Sequence, residues 1–254
     1  MSLPILLPDW PAPANVRAAM STRLGGVSVG PFTSLNLGAN AGDDPDAVAE
    51  NRRRLAVALE LPAEPGWLRQ VHGTKVLKLD GKGALPDADA SFTTQVGRVS
   101  VVQAADCLPV LFCDEAGTVV AAAHAGWRGL AAGVLEATVR ALPAAPESLM
   151  AWIGPAIGPD AFEVGPEVRD IFLAAGPETD NCFRPTLGGQ YLADLFGLAR
   201  RRLERSGVTR VYGGGRCTYT EPEQFFSFRR DGHCGRMAAL IWRTAVPQNS
   251  RRSE

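Results

Sequence analysis

The chain has 254 residues, 46% of them hydrophobic, and a net charge of −1 from 26 basic and 27 acidic side chains. That length supplies a large core without any disulfide scaffold. The near-neutral charge leaves no electrostatic footprint for nucleic acid or an anionic membrane.

The start, Met1 to Pro8, lacks a basic segment, and Pro4 and Pro8 break its short apolar run, so no secretory signal is expected. No apolar stretch approaches the ~18–20 residues of a membrane span. Val16–Met20 reads as a strand, and residues 21–40 as a Gly-rich loop region. A helix begins at Pro45 with Asp44 as its N-cap, and Val48, Leu55 and Leu59 share one face. Trp67–Val71 and Lys75–Leu79 read as two strands around a His72-Gly73-Thr74 turn, and Arg98–Gln103 as a buried strand. Leu108–Cys113 and Thr118–Ala123 are a hairpin candidate. A helix from Arg128 to Leu142 follows, stopped by Pro143. Leu149–Ile153 is a strand and Pro166–Ala175 a short helix. Tyr191–Ser206 carries the stripe Leu192, Leu195, Ala199 and Leu203 and ends at Gly207. Val208–Tyr212, Gln224–Phe228 and Arg236–Trp242 close the chain as strands. Hairpins mixed with helices indicate an α+β fold with mixed or antiparallel sheets. Residues 1–246 are expected to form one catalytic domain, and 247–254 a frayed polar tail.

Five cysteines without tight spacing point to a reducing cytoplasm. Three histidines cannot supply the copper centres of a multicopper oxidase, which imidazoles mostly hold. They suffice for one mononuclear site completed by cysteine or carboxylate. The hairpin offers one. Pairing Asp114 with Gly117 around a Glu115-Ala116 turn carries Cys107 opposite His124, with Cβ atoms ~4.5–5.5 Å apart. That spacing suits two ligands of one zinc ion. A bulge at Pro109 would break the register. The third ligand is His72 or His233, each in a turn. Two His and one Cys leave an open fourth position, as in catalytic zinc sites. His124-Ala125-Gly126-Trp127-Arg128-Gly129 leads into a helix whose N–H groups and Arg128 favour an anion. Asp106 is a candidate general acid or base. Arg23 with Gly25 and Gly26 is a candidate phosphate loop, or a plain surface loop. Arg229-Arg230-Asp231-Gly232 reads as a turn with an internal ion pair, and Phe225, Phe226 and Phe228 as core packing.

Several stretches together resemble the YfiH-like laccase-domain family. They are Ser21-Thr22-Arg23-Leu24-Gly25-Gly26-Val27-Ser28, Ser34-Leu35-Asn36-Leu37-Gly38, Gly42-Asp43-Asp44-Pro45, Gln70-Val71-His72-Gly73, Ala105-Asp106-Cys107-Leu108-Pro109, the His124–Gly129 segment, Gly154-Pro155-Ala156-Ile157-Gly158 and Phe226-Ser227-Phe228-Arg229-Arg230-Asp231-Gly232. The resemblance runs from about residue 16 to 242. It implies a single-domain, layered α/β sandwich similar to certain cysteine hydrolases related to toxin deamidases. It implies a zinc site of His72, Cys107 and His124, choosing His72 over His233. Arg23, Asn36, Arg128 and Arg230 fall within the matching stretches as candidates for holding substrate or phosphate.

Four functions are compatible with these residues. The first, which the resemblance implies, is a zinc-dependent purine nucleoside enzyme: a purine nucleoside phosphorylase with adenosine deaminase and methylthioadenosine phosphorylase activities. The second is a cytoplasmic cysteine hydrolase with Cys107 as nucleophile and His124 as base, acting on a peptidoglycan precursor. The third is a single-copper polyphenol oxidoreductase, for which an axial Met is wanted; Met20, Met150 and Met237 lie far in sequence from the ligands. The fourth is a non-enzymatic metal-binding protein. The expected partners are a purine nucleoside and phosphate, with no nucleic acid and no membrane.

Overall fold

The computed structural model describes residues 3–80 and 87–245; the expected tail, 247–254, lies outside them. The strands of the first half are β1 (Ile5–Leu6), β2 (Val16–Ser21), β3 (Val76–Lys78), β4 (Ala90–Thr93), β5 (Val99–Ala104), β6 (Leu108–Asp114) and β7 (Val120–Ala125). Those of the second half are β8 (Leu149–Ile153), β9 (Glu163–Val164), β10 (Phe183–Pro185), β11 (Tyr191–Ala193), β12 (Arg210–Gly213) and β13 (Met237–Arg243). The helices are α1 (Pro45–Ala58), α2 (Trp127–Ala132), α3 (Val134–Ala141), α4 (Pro166–Ala175), α5 (Leu195–Arg205) and α6 (Phe228–Asp231).

Two sheets stack. One is antiparallel, in the order β1-β2-β13-β5; the other is mixed, in the order β12-β8-β6-β7-β4-β3, with parallel pairs at its two edges. β6 and β7 are buried along their whole length because each side of their sheet is covered. Odd-numbered residues such as Ala121 and Ala123 pack with Leu135, Phe172 and Leu203 of the helices. Even-numbered neighbours such as Val120 and Ala122 pack with Met20, Val102 and Ile241 of the second sheet. The outer face of that sheet, with Val101 and Leu240, is closed by Leu55 of α1 and by Leu35 and Leu37. The result is a four-layer α/β/β/α sandwich, the mixed architecture the sequence pattern predicts. A small antiparallel sheet, β10-β11-β9, is hydrogen-bonded to neither, but its Val164, Phe183 and Ala193 join the core on the helix side of the mixed sheet.

α1 starts as expected, with the Asp44 side chain accepting the Asp46 N–H. Asn51, fully buried on α1, ties the Gly-rich loop down through Val27, Ser28, Ser34 and Asn36. Several elements depart from the pattern. Gly133, at φ 96°, splits the expected 128–142 helix into α2 and α3. Tyr191–Ala193 is a strand, so the long helix begins only at Leu195. Trp67–Val71 is no strand and holds one isolated bridge, Arg69 to Asp87, and β3 pairs in parallel with β4, a strand without a sequence assignment. Gln224–Phe228 is no strand: Phe225 and Phe226 are core, while Phe228 opens α6 and is 57% exposed.

The hairpin forms, but its register differs from the expected one. Pro109 pairs with His124, and Cys113 with Val120. The turn is wider because Asp114 accepts the N–H groups of Thr118 and Val119 and the Thr118 hydroxyl. The slip is by two residues. A one-residue slip would have turned every side chain to the other face, whereas an even slip keeps each on its own.

Candidate metal centre

His124 lies near the end of β7 and, by strand alternation, shares the face of Val120 and Ala122 between the sheets. Cys107 immediately precedes β6. His72 sits in its turn with φ 60°, a left-handed backbone uncommon for a residue with a Cβ. The structure brings these three together: their ligand atoms lie within 4.8 Å of one another. Cys107 Sγ is 3.8 Å from His72 Nε2. Two ligands at Zn–S and Zn–N bond lengths with a tetrahedral angle would be about 3.5 Å apart. The rings of His72 and His124 meet edge to face at 4.8 Å.

Asp89, fully buried, organises the cluster. Its Oδ1 accepts from Nδ1 of His124 at 2.9 Å and from the His72 backbone N–H at 2.9 Å. Its Oδ2 accepts the N–H groups of Gly73 (2.7 Å) and Val71 (3.2 Å), which bends that segment away from strand geometry. The backbone N–H of His124 also donates to the Asp89 carbonyl. A carboxylate on Nδ1 places the proton there and leaves the Nε2 lone pair for a metal, the usual carboxylate–histidine–zinc arrangement. Burial penalises the Cys107 thiolate, but the charge of His124 and hydrogen bonds to both histidines outweigh it and bring the thiol down to about 6 in the metal-free chain. Burial likewise opposes charge on His124, yet Cys107 and Asp89 lift it to about 9. A soft thiolate and two imidazoles with one held carboxylate fit a mononuclear zinc ion.

Gly126 has no room for a side chain. A Cβ there would lie 2.7 Å from His72 Cδ2 and 2.9 Å from Cys107 Sγ. At Gly129 it would lie 3.0 Å from the Gly73 carbonyl oxygen. The small residues of the His124–Gly129 segment therefore let the chain pack against the ligands. α2 itself is only six residues long, too short to carry a strong dipole.

The cluster opens into a cleft of about 710 Å³, lined among others by Trp67, Gln70, Trp127, Phe162 and Phe228. Of the candidate binding residues, Arg128 lines it, exposed and stacked 4.4 Å over Trp127. The others do not, because each holds a loop. Arg23 donates to the carbonyls of Thr33 and Pro222 and lies over Phe226. Asn36 binds Asp43, Gly38 and the Arg236 N–H. Arg230 forms the expected ion pair with Asp231 and also binds the carbonyls of Thr218, Tyr219 and Phe225. Asp106 lines the cleft, but its two carboxylate oxygens accept from the Thr218 hydroxyl and the Arg229 N–H, each at 2.6 Å. His233 is outside the cluster, bonded to the Ala41 carbonyl and against Phe32.

Sequence reasoning missed Asp89 and the cleft residues Arg52, Trp67, Arg229 and Arg236. Asp89 had one signal: it alternates with Ala88, Ala90 and Phe92 in a short run, where its own side would be expected to face water. Ser91 and Thr93 on that side are buried too, against the second sheet.

A family model described as multi-copper polyphenol oxidoreductase laccase matches residues 17–244. A relative from Escherichia coli named purine nucleoside phosphorylase YfiH is 57% identical over 94% of this chain and 98% of its own. One from Pseudomonas aeruginosa, also named a purine nucleoside phosphorylase, is 56% identical over 93% and 97%. Among solved structures, a Neisseria meningitidis protein of the DUF152 family superimposes with a TM-score of 0.90 at 52% identity, covering 94% of this chain and 99% of that one. YlmD from Geobacillus stearothermophilus does so with a TM-score of 0.86 at 38% identity, covering 91% and 93%.

Proposed function

The chain belongs to the laccase-like family of YfiH-type proteins, and from that premise we propose that it is a zinc-dependent purine nucleoside phosphorylase. The observation that carries this reading is the cleft, where the His72, Cys107 and His124 donors open onto aromatic walls and unpaired arginines. We extend the reading to methylthioadenosine phosphorolysis and adenosine deamination. Zinc bound by the three residues would supply Lewis acidity at an open fourth position.

In phosphorolysis a phosphate oxygen bonds to C1′ as the C1′–N9 bond breaks, and the purine leaves with that electron pair. Arg128 and Arg229 flank the donor cluster and would hold the phosphate, Arg229 with its guanidinium anchored on the Glu163 carbonyl. Trp127, Phe162 and Phe228 offer apolar faces for the purine. Asp106 acts here as a positioning residue, since it fixes the backbone of Arg229 and precedes Cys107. Copper suits the site less well than zinc: Met20, Met150 and Met237 are buried in the core between the sheets, not along the cleft. All five cysteines are unpaired and, among the described residues, no helix is long and apolar enough to cross a membrane. We place the enzyme in the cytoplasm on the strength of those thiols.

A second reading is favoured by one observation. Cys107, His124 and Asp89 line up as nucleophile, base and orienting carboxylate, which suits a cysteine hydrolase acting on an amide of a peptidoglycan precursor. One experiment separates the two. Purified protein is assayed for metal content and given inosine and phosphate. Stoichiometric zinc with release of ribose 1-phosphate, lost in Cys107→Ala, supports the phosphorylase. Metal-free protein with a trapped acyl-enzyme on Cys107 overturns it.

A further inference from the structure

The cleft carries more positive charge than one phosphate requires. Five arginines line it (Arg52, Arg69, Arg128, Arg229 and Arg236), with Asp106 the one acidic lining residue among those described. Of the five, only Arg69 is paired with a carboxylate, that of Asp87.

The unpaired arginines fall into two sets. Arg128 follows His124 by four residues, and the Arg229 backbone is tied to Asp106, next to Cys107. Arg52 and Arg236 instead belong to the wall built by the Leu37–Ala41 loop and α1. The Arg52 guanidinium stacks 3.9 Å over Trp67 while Nε and Nη2 donate to the Leu37 carbonyl at 3.0 and 2.9 Å. The Arg236 carbonyl accepts the Leu37 N–H, and its Nη1 donates to the carbonyls of Cys234 and Gly235. Its stem lies against Gly38, where a Cβ would be 2.7 Å from Arg236 Cγ. Both guanidinium groups are thus fixed before any ligand arrives. Their hydrogen-bond anchors are neutral carbonyls, and the Glu64 carboxylate, which accepts the Trp67 indole N–H, acts on the Arg52 charge through space without forming an ion pair. Two half-buried, pre-oriented arginines on one cleft wall, neither ion-paired with a carboxylate, suit a phosphoryl group.

Resting on the nucleoside reading above, we propose that Arg52 and Arg236 form a second anion subsite that takes a phosphate monoester on the sugar of the substrate. Purine nucleoside monophosphates then bind this cleft in preference to the nucleosides, while Arg128 and Arg229 serve the free phosphate.

The test is titration calorimetry with inosine 5′-monophosphate and with inosine, in phosphate-free buffer. It is run on the wild type and on Arg236→Gln, Arg52→Gln and Arg52→Lys. The ratio of the two affinities is read on one protein sample, so partial misfolding cancels. The wild type is expected to favour the nucleotide roughly 10- to 100-fold, the range for charge-assisted hydrogen bonds. The ratio should fall toward one in both Gln variants, with Arg52→Lys retaining part of it. A wild-type ratio near one, or no binding of either compound, overturns the proposal. So do Gln variants that raise KM for inorganic phosphate but keep the wild-type ratio, since the wall would then hold the free ion. The inosine phosphorolysis assay fails separately. A preserved ratio without phosphorolysis refutes the proposed function and leaves the subsite, and phosphorolysis with a ratio near one does the reverse.

Discussion

Asp89 accepts a hydrogen bond from Nδ1 of His124 at 2.9 Å, and the same carboxylate accepts the backbone N–H groups of Val71, His72 and Gly73. One buried side chain therefore orients His124 on β7 and shapes the turn that presents His72. Asp89→Asn keeps the volume but replaces one accepting oxygen with an NH2 group, so at least one of these donors is left facing a donor. Loss of a carboxylate behind a ligating histidine typically weakens metal binding 10- to 100-fold. Zinc affinity measured by competition with a chromophoric chelator is expected to fall within that range. Cobalt substitution should show a weakened thiolate-to-metal charge-transfer band while far-ultraviolet circular dichroism stays native.

Gly126 tests whether the His72, Cys107 and His124 cluster needs a bare backbone beside it. A methyl group there would overlap His72 Cδ2 and Cys107 Sγ together. Gly126→Ala is expected to lower zinc occupancy and activity at least tenfold, by pushing His72 and Cys107 apart. The ordinary φ of −61° at Gly126 accepts alanine without backbone strain, so the thermal midpoint should move by only a few degrees. Gly133, at φ 96°, makes the contrasting control: Gly133→Ala should reduce stability with little change in metal binding.

That Cys107 and His124 would meet was legible in the sequence even though the register that suggested it was not, and the choice of His72 over His233 came from the family resemblance. Cys107 and His124 still converge because the slip from the expected register is by an even two residues, which leaves both on the face between the sheets. What sequence could not show was where the polar groups go. Arg23, Asn36 and Arg230 look like binding residues in a Gly-rich, Arg-rich pattern, yet buried backbone carbonyls and N–H groups of the surrounding loops need partners, and these side chains are the partners. Asp89 was hidden for the complementary reason. In a two-sheet sandwich the polar side of β4 faces the second sheet, so alternation that ordinarily marks solvent marks a buried site instead. Tyr191–Ala193 misled the helix assignment because its apolar spacing continues the stripe of α5, which begins only after the extended backbone at Asp194.

The wide hairpin turn has a specific cause that mutation can remove. Asp114 is 5% exposed and accepts two N–H groups and one hydroxyl from Thr118 and Val119. Hydrogen bonds to a charged acceptor contribute about 1.5–3 kcal/mol each, and part of this is recovered from water at a turn. Asp114→Ala is expected to destabilise the protein by about 2–3 kcal/mol in urea unfolding. Zinc affinity at the distant end of the hairpin should be unchanged if the β6–β7 register holds. A turn that tightens to the two-residue form would instead shift the pairing and show as altered cross-strand contacts between β6 and β7 by NMR.

The metal-free site has a pH signature shifted well below that of an ordinary cysteine. Cys107 is held at about 6, below the free thiol value of 9.0, by the charge and hydrogen bonds of His124 and His72 acting against burial. His124 is held at about 9, above its ordinary 6.5. A depressed thiol pKa stabilises the fold above the unfolded thiol value, and this is lost as pH falls through about 6; a raised imidazole pKa stabilises it below 6.5, and this is lost as pH rises through about 9. Between those limits the pair is thiolate and imidazolium. Iodoacetamide pulses on chelator-treated protein, mapped by mass spectrometry, should therefore label Cys107 with a rate that rises through about pH 6 and then levels. Cys113, buried and pushed up to about 12, should stay unlabelled throughout. Stoichiometric zinc should slow the labelling of Cys107 across the whole range, because donation to the metal lowers the nucleophilicity of the sulfur and the ion shields it. A labelling midpoint at the ordinary thiol value would show that His124 does not hold Cys107 as a thiolate in the metal-free chain, and would count against Cys107 as an activated nucleophile.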